Sequence, residues 1–174
     1  MEQQPEPANR IELGQTNLTA FFIDHLNVIY AAKAHLVDKL PVIAAHVHYI
    51  DLHEAILETV SDVQKQMVRM EMVMAMMDAR ITKENCAAMI GMIDDVFASI
   101  QHYTGRDRGL RDLSIANYMQ QIESVEMASF QILEMAAVKL KDKQVKQLLK
   151  ECYNEARTDR TLMLLIATKY ITAK

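Results

Sequence analysis

The stretch IESVEMASFQILEMAAVKL, residues 122–140, contains neither glycine nor proline and is rich in good helix formers. Its apolar side chains recur at alternating steps of three and four residues, the spacing of a helix face that packs against other helices. Glu123 and Glu126 interrupt the apolar run three residues apart, so they lie on the same side of the helix. The stretch predicts a long core helix whose two carboxylates face either the core or solvent.

The same composition extends over the whole chain of 174 residues, which has only four glycines and three prolines. So few turn residues exclude a β-rich fold, and the length suits one domain with a sizeable core. We therefore predict an all-α fold of five helices joined by short connections, with Pro41 kinking or breaking the first. The helices are expected from about residue 17 to the mid-forties, 51 to 80, 86 to 102, 110 to 140, and from a corner at 141–143 to about 170.

The N-terminal residues, the net charge, the apolar runs and the cysteines limit the partners and the location that this protein is expected to have. Residues 1–15 are acidic and proline-bearing and are expected to be a disordered tail, followed by a single domain over residues 16–172. The net charge is −4, with scattered lysines and arginines, which argues against a nucleic-acid partner. No apolar run approaches the roughly 20 residues that span a bilayer, so no membrane is expected. Cys86 and Cys152 form no disulfide framework, and two free thiols suit the cytoplasm.

Heptad spacing predicts which side chains face the core of the bundle. The apolar seam is interrupted near the middle of three helices, by Lys33 in the first, by Glu126 in the fourth, and by Glu155 and Asp159 in the fifth. A different register of the fourth helix, through Tyr118, Ile122, Val125 and Ile132, moves Glu126 towards the edge. A different register of the fifth, through Leu149, Cys152, Ala156 and Met163, removes Glu155 from the core and keeps Asp159 close. The pattern leaves both registers open.

Four segments, from the first, third, fourth and fifth helices, carry a family resemblance, and they are IYAAKAHLVDKLP, NCAAMIGMIDD, QQIESVEMASF and LLKECYNEARTD. Through them the chain resembles the YciE/YciF family of ferritin-like bacterial stress-response proteins, over residues 18–171. The resemblance implies a ferritin-like four-helix bundle with an additional shorter helix. It also implies a two-metal carboxylate centre between the long helices, and a homodimer.

The metal ligands implied by the resemblance are only partly present. This chain has Lys33 where the family has a glutamate, and Ser61 and Gln64 where it has a Glu-x-x-His pair. The acids of the second helix pair do match the family pattern, and they are Glu123, Glu126, Glu155 and Asp159.

The chemistry of the changed positions favours loss of the metal. A lysine at neutral pH has three N–H donors and no lone pair, and its charge repels a cation. We therefore expect no cofactor, and instead a buried network of Lys33 with Ser61, Gln64, Glu126, Glu155 and Asp159, in a non-catalytic structural or interaction protein. The alternative is an iron or manganese site on the four remaining acids, Glu123, Glu126, Glu155 and Asp159, with an oxidoreductase or iron-handling role.

Overall fold

The computed structural model describes residues 13–82, 87–101 and 107–173, which form five α-helices. They are α1 (Gln15–Ala44), α2 (Ile50–Met76), α3 (Ala87–Gln101), α4 (Arg108–Leu140) and α5 (Lys143–Thr172). Residues 1–12 of the predicted tail, Cys86, and most of the predicted loop after α3 lie outside the described residues.

Local sequence accounts for the ends of several helices. Pro41 lies inside α1, which continues through it and ends at Ala44, so the predicted break is not seen. The corner between α4 and α5 uses Lys141 in the left-handed region, with φ 63°, as the residue that ends α4. Asp142 then caps α5, because its side chain accepts hydrogen bonds from the backbone N–H groups of Gln144 and Val145 at 3.0 and 2.9 Å. This tight corner makes α4 and α5 antiparallel neighbours.

The four long helices pack as a ring in the order α1, α2, α5, α4, and α3 packs against α1 and α4. This arrangement confirms the predicted all-α bundle with an additional shorter helix. None of the helices that the structure describes is long and apolar enough to cross a membrane.

The core of the bundle is divided into two apolar clusters. One cluster contains Leu36, Leu40, Ile56, Ile115 and Met163, and the other contains Phe22, Leu26, Met70, Phe130 and Leu149. Each long helix contributes residues to both clusters and carries buried polar residues between them. We call this intervening section the polar layer, defined by Lys33 of α1, Thr59 and Gln66 of α2, Glu123 and Glu126 of α4, and Asp159 of α5. It lies where the sequence places the interruptions in the heptad seams.

Candidate functional site

Lys33 is the centre of the polar layer. Its side chain is completely buried, and its ammonium group pairs with Oε2 of Glu126 across the α1–α4 interface. The same Nζ donates to Oε1 of Gln66 on α2 at 2.5 Å and lies 5.2 Å from the centroid of the Phe130 ring. A buried ammonium needs such partners, because an unpaired charge in the interior costs several kcal/mol. Lys33 therefore connects three of the four long helices through one nitrogen.

Glu123 and Glu126 are both buried, on the side of α4 that faces the core. Only Glu126 contacts the lysine; both carboxylate oxygens of Glu123, and Oε1 of Glu126, have no hydrogen-bond partner among the described residues. Burial and the neighbouring charge of Glu126 raise the pKa of Glu123 well above its ordinary value. The neutral form of Glu123 is thus favoured in the folded protein, beside a Glu126 that pairs with Lys33.

Asp159 completes the polar layer from α5. Burial and the charge of Asp62, a half-buried residue of α2, raise the pKa of Asp159 to about 7. Asp62 itself pairs with Lys65 at 2.7 Å, towards solvent. Asp159 is therefore partly protonated near neutral pH, which lowers the negative charge that Lys33 has to balance.

Glu155 does not belong to the buried site, and the sequence prediction that placed it there was wrong. Its side chain is 25% exposed, and both its oxygens accept from Arg69 of α2, at 2.7 and 2.8 Å. The reason is the register of α5, which buries Leu149, Cys152, Ala156, Asp159 and Met163. This is the second of the two registers that the sequence allows. Glu155 therefore lies at the edge of the α2–α5 interface, where it meets a cation of its own.

The prediction was also wrong for Ser61 and Gln64, which are both exposed on α2. The buried polar positions of this helix are Thr59 and Gln66, which the sequence reasoning missed. A signal for them was present, because the apolar residues Ile56, Val63 and Met70 are spaced by seven and leave 59 and 66 on the same face. The Glu-x-x-His pair implied by the family resemblance corresponds instead to Ser61 and Gln64, each two residues away from these buried positions.

The residues of the polar layer do not fit a two-metal carboxylate centre. Among the residues that the structure describes, no three histidine, cysteine or acidic side chains are grouped as ligands for one metal ion. An ammonium group occupies the space between the helices where a cation would meet Glu126, and Glu155 is engaged by Arg69. Glu126, Glu123 and Asp159 are still brought into one layer, but with a lysine instead of imidazole ligands.

Cys152 borders the polar layer without being reactive. Its buried Sγ lies 4.0 Å from the backbone oxygen of Gln66, and burial raises the pKa of the thiol to about 12. The nucleophilic form of a cysteine is the thiolate, so this residue stays a protonated core side chain at neutral pH.

Comparisons with known proteins agree with this fold. The family model described as "Domain of unknown function (DUF892)" matches residues 17–174. The crystal structure of the E. coli stress protein YciF superposes with a TM-score of 0.84 at 23% identity, covering 90% of this chain and 98% of that one. YcfI from Rhodopseudomonas palustris gives a TM-score of 0.78 at 22% identity, covering 90% and 97%. No curated protein sequence matches significantly. At these identities the structural likeness establishes the fold alone.

Proposed function

The chain belongs to the DUF892 family of YciF-like proteins, and we propose that it is a structural or interaction protein in which a lysine–carboxylate network replaces a metal centre. The family membership confirms the resemblance seen in the sequence. The observation that carries the proposal is the position of Lys33, whose ammonium group bonds Glu126 and Gln66 at the middle of the bundle. A fixed positive charge at that point does electrostatically what a bound cation does in a ferritin-like protein.

The charges of the polar layer support this replacement. Lys33 balances Glu126, the raised pKa of Glu123 favours its neutral form, and Asp159 is partly protonated at pH 7. Glu155 is balanced by Arg69 outside the layer. The raised pKa values of two of the three buried acids therefore lower the negative charge of the layer, which supports a network that contains one lysine and no second cation.

Metal analysis of the natural chain tests the proposal. The protein is purified without chelator, analysed for bound metal, and analysed again after anaerobic addition of Fe(II). We expect near-zero metal in both samples, because Lys33 repels a cation from the carboxylates. The variant Lys33→Glu, which restores the acid that the family has at this position, is the comparison. One or two equivalents of metal in the natural chain would refute the proposal.

The alternative function is an iron- or manganese-binding protein that keeps a partial centre. It is favoured by the oxygens of Glu123, Glu126 and Asp159 that have no hydrogen-bond partner among the described residues. Glu155, the fourth acid implied by the family resemblance, faces Arg69 and would have to leave that pair. Glu155→Gln separates the two functions, because it leaves the lysine network unchanged and removes a ligand from a partial metal centre.

An interaction role also needs a surface, and we propose that α1 and α4 provide it in a homodimer. Apolar side chains are exposed to solvent along this face: Phe21, Ile132 and Val138 are about half exposed, and Met135 is 71% exposed. Sedimentation velocity at micromolar concentration tests this surface, and Met135→Glu is expected to shift a dimer towards monomer. A natural chain that sediments as a monomer would refute the dimer. No nucleic-acid partner is proposed, and the cytoplasm remains the predicted location.

A further inference from the structure

The polar layer holds an amine, an amide and a carboxylate in contact, away from water. Nζ of Lys33 lies 2.5 Å from Oε1 of Gln66, and the same nitrogen contacts Oε2 of Glu126. All three side chains are buried, with exposures of at most 1%, and the Phe130 ring covers the lysine at 5.2 Å. Nε2 of Gln66 has no hydrogen-bond partner among the described residues. The amide nitrogen is thus not tied to any group that would hold it in place.

We propose that Lys33 and Gln66 are a site of self-catalysed cross-linking, in which the lysine amine displaces ammonia from the glutamine amide to form an isopeptide bond between α1 and α2. The chemistry follows from the contacts. A lysine amine becomes a nucleophile when an adjacent base takes its proton, and Glu126 is the base in contact with it. Because the two reacting groups are already held together in a buried site, the reaction avoids much of the entropy loss that a bimolecular reaction needs to bring its reactants together.

The steps balance without any further reactant. Glu126 takes one proton from the Lys33 ammonium, and the free electron pair of Nζ forms a bond to Cδ of Gln66. The carbonyl electrons move to Oε1. Glu126 then donates the proton that it holds to Nε2 of Gln66 and takes the extra proton from Nζ. The Cδ–Nε2 bond breaks, and ammonia leaves as the carbonyl re-forms. Lys33 and Gln66 are then joined by a secondary amide, and Glu126 ends as a neutral acid.

The cross-link removes both charges of the Lys33–Glu126 ion pair. The lysine loses its charge on acylation, and Glu126 loses its charge by keeping a proton. The inference builds on the network of the proposed function, because it takes the Lys33–Glu126 ion pair as its starting state.

Mass spectrometry of the intact, denatured full-length chain tests the cross-link. Folded protein is incubated at neutral pH, and its mass is measured before and after. The expected product is lighter than the sequence mass by one molecule of ammonia. Tryptic digestion is expected to yield one branched peptide that contains both Lys33 and Gln66, with no cleavage after Lys33.

Matched variants separate the cross-link from other losses of ammonia. Gln66→Met keeps the size of the side chain and removes the amide, so the mass loss should disappear. Gln64→Met changes an exposed glutamine on the same helix and should leave the loss unchanged. Glu126→Gln removes the base and should prevent the reaction, whereas Glu155→Gln, at the edge of the bundle, should permit it. Circular dichroism checks that each variant is folded.

Three results would overturn the cross-link. They are an unchanged mass in the natural chain, a loss of ammonia that maps to another peptide, and a loss of water that joins Lys33 to Glu126. An unchanged mass together with near-zero metal would leave the proposed function standing. Metal bound at the polar layer would refute the proposed function itself, so the two failures are distinguishable.

Discussion

Replacing Lys33 by methionine should destabilise the protein strongly, because it leaves Glu126 buried without a counter-charge. Both side chains of the pair are at most 1% exposed, so the carboxylate cannot turn to solvent without opening the bundle. Removing one member of a buried ion pair costs about 3–5 kcal/mol. A domain of this size has a free energy of unfolding of about 5–15 kcal/mol, so the loss is a large fraction of the total. Guanidinium unfolding at pH 7 measures it.

A double-mutant cycle with Glu126→Gln shows whether the loss belongs to the pair. The double variant, with Lys33→Met and Glu126→Gln, should recover much of the stability lost by Lys33→Met alone, since no charge is left unpaired. Running the cycle in the Gln66→Met background excludes any contribution from the cross-link. Lys65→Met is the matched control, because Lys65 is exposed and its change should be within experimental error. A loss below about 1 kcal/mol for Lys33→Met would contradict the buried pair.

Three further outcomes are expected. The pKa of Asp159 is raised from 3.8 to about 7 in the folded state, so its contribution to stability is complete below pH 3.8 and is lost as the pH rises towards 7. That loss is at most about 4 kcal/mol. Asp159→Asn should therefore flatten the dependence of the urea midpoint on pH between about 4 and 7, and an unchanged slope would contradict this. Asp112 is buried and accepts from two backbone N–H groups at 2.9 Å and from the Tyr170 hydroxyl at 2.8 Å. Asp112→Ala should therefore lower the free energy of unfolding by about 3 kcal/mol or more, and a thermal midpoint equal to that of the natural chain would refute this. Arg69→Met should cost less than about 1 kcal/mol, because its ion pair with Glu155 is partly solvated, and a greater loss in guanidinium unfolding would show that the pair supports the core.

The sequence predicted the fold class and the core face of α1. The heptad seam of α1, including Lys33, is buried as predicted, and it could be recognised because a single charged residue interrupts an otherwise apolar face. For α4 the sequence left two registers open, and the structure has the one that buries Glu126. Five helices followed from the scarcity of glycine and proline, which leaves few places where a helix can end.

The face of α5 could not be decided from its own residues. Cys152 is compatible with both registers, and Glu155 and Asp159 are both acids four residues apart, so composition gives no preference. What decides the register is tertiary: packing against the other helices buries Leu149, Ala156 and Met163, and Glu155 is left at the edge, beside Arg69. Thr59 and Gln66 were missed for a related reason, because each is next to an apolar residue, Val60 and Met67, that fits the seam nearly as well.

The polar layer between the two apolar clusters has a consequence for how the helices are aligned lengthwise. In an unbroken apolar core, one helix can slide past another by a turn and still meet aliphatic side chains. In this bundle, sliding α1 by one turn would place Lys33 among the aliphatic residues of one cluster and leave Glu126 facing an apolar side chain. Each such misalignment leaves two buried charges without a partner, at a cost of several kcal/mol. The polar layer thus fixes the lengthwise alignment of the four long helices, which an unbroken apolar core would leave free to shift.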